Sequence, residues 1–358
     1  MGAPYSDHAT TTFVYVGDAE SVRVVHFMGR FPEIPPLLRL DGTSLWHVTV
    51  ELPQGSRVEY KLEVTDQERT DRILDPLNRR TASDPFGSNS VAHAPGYADP
   101  PWVSPGVDFG LGTVETLEID HTAFGGTRLF SVYLPDRYPD EAPYPVAVLH
   151  DGSDLLEYAS LTTVLDNLIG AEAVRPHIAV LLDPTDRSRE YAALPEHGRF
   201  VTEDVLPHVS AELGGSTHPA DRLIAGASLG GVASLATAWR HPGTFGSLVL
   251  LSGSFVTGLG GPWKRGPLLR PVVDFVARFT EEPGRPSDRV WMAVGAYETL
   301  ADDNRRFRPV LQGTGMAVSY REPLDGHHWQ SWRNSLGEAL RALLPADPPD
   351  HRPSSVAT

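Results

Sequence analysis

The stretch Gly226-Ala227-Ser228-Leu229-Gly230 constrains this chain more than any other. Leu223-Ile224-Ala225 ahead of it reads as a short buried strand, and Gly231 to Arg240 behind it reads as a helix that opens on small residues. A G-x-S-x-G between a strand and a helix is a nucleophile elbow, a tight turn that lifts a serine hydroxyl above the edge of a sheet. The small neighbours have a steric reason. The turn demands strained backbone angles and brings helix and strand close together, so side chains at 226 or 230 would collide. The rest of the chain then has to supply a sheet, a base and an acid.

A chain of 358 residues with 41% hydrophobic content can bury one large or two ordinary cores. The formal net charge of -16 argues against a nucleic-acid partner, because phosphate binding needs a basic surface. With no cysteine, disulfides, thiolate nucleophiles and Cys-ligated metals are excluded. Met1 to His8 carry neither the basic nor the apolar region of a secretory signal, and no run approaches the ~20 apolar residues of a membrane span. A cytoplasmic location with no membrane partner is therefore expected, for a monomer or a homodimer.

The hydropathy pattern changes once along the chain. Thr12-Phe-Val-Tyr-Val, Ser21-Val-Arg-Val-Val, Leu45-Trp-His-Val-Thr-Val and Arg57-Val-Glu-Tyr-Lys-Leu are short β-branched or alternating runs with turn residues between them. They predict a β-sandwich domain of immunoglobulin-like kind over 1–97. Ile73 to Val91 contains Pro76, Pro85 and Gly87 and reads as irregular. The Pro/Gly-rich stretch 98–112 reads as a linker. From 113 to 346 strand-like and helical runs alternate, which predicts a mostly parallel sheet with helices on both faces. With an elbow serine in that order, the fold class expected is α/β, an α/β-hydrolase catalytic domain preceded by an all-β domain. Residues 347–358 are expected to form a disordered tail.

A serine hydroxyl needs a base, and the base needs an orienting acid, which in this fold follow in the order serine, acid, histidine. His327, directly after Gly326 in the loop behind the last predicted strand, is preferred as base over His328. Glu298, at the end of the strand Val290 to Gly295, is preferred as acid. Asp302 and Asp303 are its rivals, although both fall where a helix starts and an N-terminal carboxylate needs no catalytic reason. The oxyanion hole is expected from the Leu229 amide and from the Asp151-Gly152-Ser153 loop, with Ser153 first and Gly152 second. No cluster has metal-ligand spacing, and no cofactor is expected.

The quoted residues resemble the enterochelin (ferric enterobactin) esterase family of the esterase D-like α/β-hydrolases. The likeness rests on Asp75-Pro-Leu-Asn, Asp84-Pro-Phe-Gly-Ser-Asn-Ser-Val, Val148-Leu-His-Asp-Gly, Arg187-Ser-Arg-Glu, Gly226-Ala-Ser-Leu-Gly-Gly, Leu251-Ser-Gly-Ser and Gly326-His-His-Trp-Gln-Ser-Trp-Arg. The resemblance implies hydrolysis of a tricatecholate trilactone siderophore, with Ser228 as nucleophile and His327 as base, and release of iron. Such a substrate is bulky, aromatic and anionic. Arg187, Arg189, Arg305 and Trp329 are the candidate substrate-binding residues, with Lys264, Arg265 and Arg306 also near the predicted site loops and Trp263 and Trp332 as further rings. The alternatives are a feruloyl or acetyl carbohydrate esterase with a sugar-binding sandwich, and a siderophore-binding protein that has lost catalysis.

Overall fold

The structure, a computed structural model, describes residues 4–7, 9–67, 69–104, 109–260 and 266–346. The expected tail at 347–358 and the candidates Trp263, Lys264 and Arg265 lie outside the described residues. The chain forms two compact units. The first comprises the chain up to Asp99 together with Val294–Ala301 and Glu322–Ser331, and the second comprises the remainder.

Among the described residues the first unit holds the antiparallel strands β1 (Tyr5–Asp7), β2 (Thr10–Val16), β3 (Ser21–Val25), β4 (Leu38–Arg39), β5 (Leu45–Glu51), β6 (Arg57–Asp66), β7 (Arg69–Ile73), β8 (Thr81–Asp84) and β9 (Gly87–His93). One sheet runs β1-β2-β5-β4 and the other β3-β6-β9-β8, with β7 paired to β6. Alternation along β5 buries Trp46 and Val48. They join Phe13, Val22, Val24, Val58, Tyr60 and Leu62 in one apolar core. The Asp75-Pro-Leu-Asn run is structural. Asp75 accepts from the Tyr60 hydroxyl at 2.6 Å, and Asn78 donates to the same hydroxyl at 3.1 Å.

The irregular stretch expected over 73–91 is instead partly a hairpin, β8 to β9. Pro85 and Phe86 are its two turn residues, so the missing proline N–H falls outside the ladder, where it removes no strand bond. The Phe86 N–H donates to Asp84 Oδ1 at 2.7 Å, and Gly87 supplies φ 127°.

The second unit begins with β10 (Thr113–Ile119), β11 (Arg128–Leu134), β12 (Val146–His150), α1 (Gly152–Tyr158), α2 (Leu161–Gly170) and β13 (Ile178–Leu182). The chain continues with α3 (Arg187–Glu190), α4 (Pro195–Arg199), α5 (Leu206–Leu213), β14 (Arg222–Ala227), α6 (Leu229–Arg240), β15 (Ser247–Leu251), α7 (Arg270–Glu281), β16 (Arg289–Ala293), α8 (Ala301–Gly313), β17 (Ala317–Arg321) and α9 (Trp329–Leu343), with Ala301 and Trp329–Ser331 counted in the first unit. The sheet order is β10-β11-β13-β12-β14-β15-β16-β17. From β13 to β17 neighbours are parallel, and β10 and β11 close one edge antiparallel. Every residue of β12, β13 and β15 is buried, as strands covered on both faces require. The helix expected over Val201 to Leu213 starts earlier and is interrupted. A π-type turn spans Phe200–Val205 between α4 and α5. Pro207 follows it, and a wider turn relieves the clash of a proline ring with the carbonyl four residues back.

Candidate active site

Ser228 stands alone between β14 and α6, at φ 56° and ψ −117°. A side chain at positive φ is strained, and such strain persists only where the surroundings impose it. Here they do. The Ser228 N–H donates to the Leu251 carbonyl at 2.8 Å, and its carbonyl accepts from the Ser254 N–H at 3.0 Å. A Cβ on Gly226 would lie 2.3 Å from the Gly230 carbonyl carbon, and one on Gly230 would lie 3.1 Å from His150 Cβ. The hydroxyl is half-buried, 3.3 Å from Ser254 Oγ. Ser254 was not among the expected site residues, and its signal is the Leu251-Ser-Gly-Ser run. The Leu229 amide opens α6. It has no acceptor within the helix and lies at the positive end of the dipole.

β12 neighbours β14 in the sheet, so the segment after His150 leaves the same sheet edge as the elbow. It is the first turn of α1 rather than a free loop. Asp151 takes φ 58°, and a Cβ on Gly152 would lie 2.5 Å from Leu181 Cβ, which accounts for the glycine. The preference for Ser153 as oxyanion donor needs correcting. Its N–H donates to both oxygens of Asp183, at 3.0 and 3.2 Å, and its hydroxyl binds the same carboxylate. That donor is occupied. Gly152, the second choice, carries a first-turn amide with no acceptor inside the helix.

Arg187, expected to bind substrate, grips Asp151 instead. Its Nε and Nη2 each lie 2.8 Å from a different Asp151 oxygen, and Nη2 reaches the Ala227 carbonyl at 3.4 Å. A fork of this kind holds geometry as well as charge. Arg187 therefore ties the left-handed Asp151 to the end of the elbow strand. Arg189 is exposed at the surface of α3. Arg305 pairs with Asp302 at 3.0 Å. Trp332 donates its indole N–H to Ser252 Oγ at 2.9 Å and is buried.

Below the elbow, His150 and His197 are fully buried and share a 2.8 Å bond between their Nε2 atoms. His150 Nδ1 faces the Ala225 carbonyl at 2.9 Å, so it carries that ring's proton and His197 Nε2 donates to His150 Nε2. A proton added to His150 would set two N–H groups against each other. One added to His197 would land on Nδ1, buried with no partner among the described residues. Burial first, opposed by the Ala225 bond, pushes His150 down to about 4, and burial with the His150 neighbour holds His197 well below its usual range. The unfolded chain therefore binds more protons than the folded one below about pH 6.5. Stability present at neutral pH is expected to be lost as pH falls from about 6.5 towards 4, on the order of 3 kcal/mol from His150 alone. Melting temperatures across that window check this. The slope should flatten in His197→Gln, and an equal slope in the variant counts against it.

The first unit carries the candidate acid and base on its two late segments. Glu298 Oε2 accepts from His327 Nδ1 at 2.7 Å, and Oε1 accepts from the Gly295 N–H at 2.8 Å. The segments are stitched by backbone. Ala296 N–H donates to the Pro323 carbonyl at 2.8 Å and Tyr297 N–H to the Asp325 carbonyl at 3.1 Å. A Cβ on Gly295 would lie 2.5 Å from the Asp325 carbonyl oxygen, so only glycine allows the two to meet. The Glu298 carboxylate is fully buried, whereas 38% of the His327 side chain is exposed. His328 turns elsewhere, placing Nδ1 3.1 Å from Asp325 Oδ1. Burial opposes its charged form, but that bond and the Glu59 and Asp325 charges raise it overall. Asp302 and Asp303 lie in the first turn of α8, paired with Arg305 and Arg306. Trp329 opens α9 and is buried. Among the described residues no group of three or more histidines, aspartates or glutamates is placed to hold a metal ion.

The model of a family described as putative esterase matches residues 122–343, more than half of the chain. The chain belongs to this esterase family. It is 25% identical to the iron(III) enterobactin esterase of Dickeya dadantii, over 87% of this chain and 80% of the relative. Two solved structures share its fold. The ferric enterobactin esterase of Salmonella typhimurium matches with a TM-score of 0.77 at 20% identity, covering 93% of each chain. The Shigella flexneri enterobactin esterase, solved in the presence of enterobactin, matches with a TM-score of 0.75 at 20% identity, over 93% of this chain and 92% of that one. The α/β-hydrolase class with a β-rich amino-terminal part is thus the fold of this chain, and the resemblance noted in the sequence extends over both units. No helix among the described residues is long and apolar enough to cross a membrane.

Proposed function

We propose that this esterase hydrolyses the ester bonds of a tricatecholate trilactone siderophore in the cytoplasm and so frees its iron. His327 takes the Ser228 proton and the serinate attacks an ester carbonyl. The Leu229 and Gly152 amides bind the oxyanion. His327, steadied by Glu298, then protonates the leaving serine hydroxyl, and later activates the water that releases the acyl group. The observation that carries this reading is the 2.7 Å bond from His327 to the buried Glu298, which gives the imidazole the tautomer a serine nucleophile needs. The choice of substrate is supported by the likeness to enterobactin esterases over nearly the whole chain. In this reading Arg189, exposed on α3, remains the candidate substrate contact, because Arg187 and Arg305 are engaged by carboxylates and Trp329 is buried.

The test is to incubate the protein with ferric and iron-free trilactone and with a feruloyl ester, and to separate the products by chromatography. The expected result is progressive appearance of linear fragments ending in 2,3-dihydroxybenzoyl-serine, with the feruloyl ester cleaved far more slowly. Intact trilactone beside a consumed feruloyl ester would reassign the substrate to the other esterase class.

A further inference from the structure

β6 begins with a pattern that a half-exposed strand should not have. Arg57 and Glu59, two residues apart, share one face, and that face is buried, with Arg57 at 0% and Glu59 at 4% exposure. A buried guanidinium needs partners, and besides Glu59 on its own strand these come from the loop that carries His327 and the start of α9. Arg57 Nη1 lies 3.2 and 3.3 Å from the two oxygens of Asp325. Its Nη2 lies 2.8 Å from Glu59 Oε1 and also donates to Gln330 Oε1. The Arg57 backbone N–H donates to the Leu324 carbonyl at 3.0 Å. The strand thus grips the loop on both sides of His327, at 324 and 325 before it and at 330 after it.

Asp325 passes the grip on. Its Oδ1 accepts from the Gly326 N–H at 2.7 Å and from His328 Nδ1 at 3.1 Å, while its backbone carbonyl accepts from Tyr297, one residue before Glu298. The remaining Glu59 oxygen accepts from Asn89 Nδ2 at 3.0 Å. Replacing such a buried ionic set with apolar residues is often neutral or stabilising, so stability alone is a weak reason for its presence. His327 supplies another reason. More than a third of its side chain is exposed and its ring is tied to Glu298, so its aim depends in part on the backbone that Arg57 and Asp325 hold.

We infer that Arg57, through Asp325, is a positioning residue that fixes the 324–330 loop so that His327 keeps its bond to Glu298. The inference rests on the proposed catalytic role of His327 for its effect on rate, but not for its effect on the imidazole. Glu298 makes the neutral His327 ring an Nδ1–H tautomer, whereas a released imidazole reverts towards Nε2–H. The experiment is nitrogen NMR on histidine-labelled protein, with the His327 signals assigned by their loss in His327→Gln, beside kcat and KM on p-nitrophenyl butyrate. In Arg57→Met the His327 tautomer should shift, and kcat should fall by about 10- to 100-fold with KM nearly unchanged, as for a misplaced catalytic group. Arg57→Lys should restore part of both.

If Arg57→Met does not fold, Asp325→Asn removes the charge that Arg57 grips with little change of shape, and carries the same expectation. A His327 tautomer identical to that of the wild type overturns the inference, whatever happens to the rate. A shifted tautomer with unimpaired kcat upholds the positioning and overturns His327 as the base. Absence of ester hydrolysis in the wild-type protein overturns the proposed function, while the NMR comparison still decides the role of Arg57.

Discussion

Ser228→Ala is expected to reduce ester hydrolysis to background, a loss on the order of 10⁴- to 10⁶-fold in kcat, while the protein keeps its fold. The size follows from the chemistry. Without the hydroxyl no acyl-enzyme forms, and what remains is the stabilisation that the amides can give to attack by water. The fold survives because alanine also carries a Cβ, so the strain at φ 56° is unchanged. The bonds that hold the turn come from the backbone, to Leu251 and from Ser254, and the substitution leaves them in place. The hydroxyl itself approaches Ser254 Oγ at 3.3 Å, a weak hydrogen bond at that distance, so its removal costs the fold little. Turnover of p-nitrophenyl butyrate, with circular dichroism melting as control, measures both. A folded variant with more than about a tenth of wild-type kcat would exclude Ser228 as the nucleophile.

What the sequence makes legible follows from the range of the forces involved. Val146–His150 and Ile178–Leu182 stand out because parallel strands buried on both faces must be apolar throughout. The elbow stands out because its glycines answer contacts a few residues away, Gly226 against Gly230. Pairings between distant residues leave no local trace. Asp183 takes the Ser153 amide from thirty positions away, and Asp151 takes Arg187 from thirty-six. Nothing in either neighbourhood says that the donor is spoken for. Arg57 is the extreme case. In Arg57-Val-Glu-Tyr-Lys-Leu the alternation assigns the charged face to solvent, and only the fold reveals a partner 268 residues along the chain. Pro85 misleads in the opposite sense. It is a breaker inside a strand, but it sits at a hairpin turn, where it breaks nothing.

For the acid, Glu298→Gln is expected to lower kcat by about 10²- to 10⁴-fold, whereas Asp302→Asn should stay within about a factor of three of wild type. The carboxylate accepts two hydrogen bonds at once, from Gly295 N–H and from His327 Nδ1. An amide has one accepting oxygen. If that oxygen keeps Gly295, the NH₂ group faces His327 and selects the tautomer whose proton sits on Nε2, the nitrogen required as base. If the oxygen keeps His327, two donors oppose each other at Gly295 inside a buried site, and the segment must shift. Either arrangement spoils the base, so the loss should fall mainly on kcat. Asp302 is instead half-exposed, in the first turn of α8. Its partner is Arg305, one helical turn away and itself exposed, and such pairs contribute a fraction of a kcal/mol to the helix. Measuring kcat and KM for both variants on one ester separates them. A larger loss in Asp302→Asn would move the acid to the start of α8 and leave the Glu298 bond with a structural role.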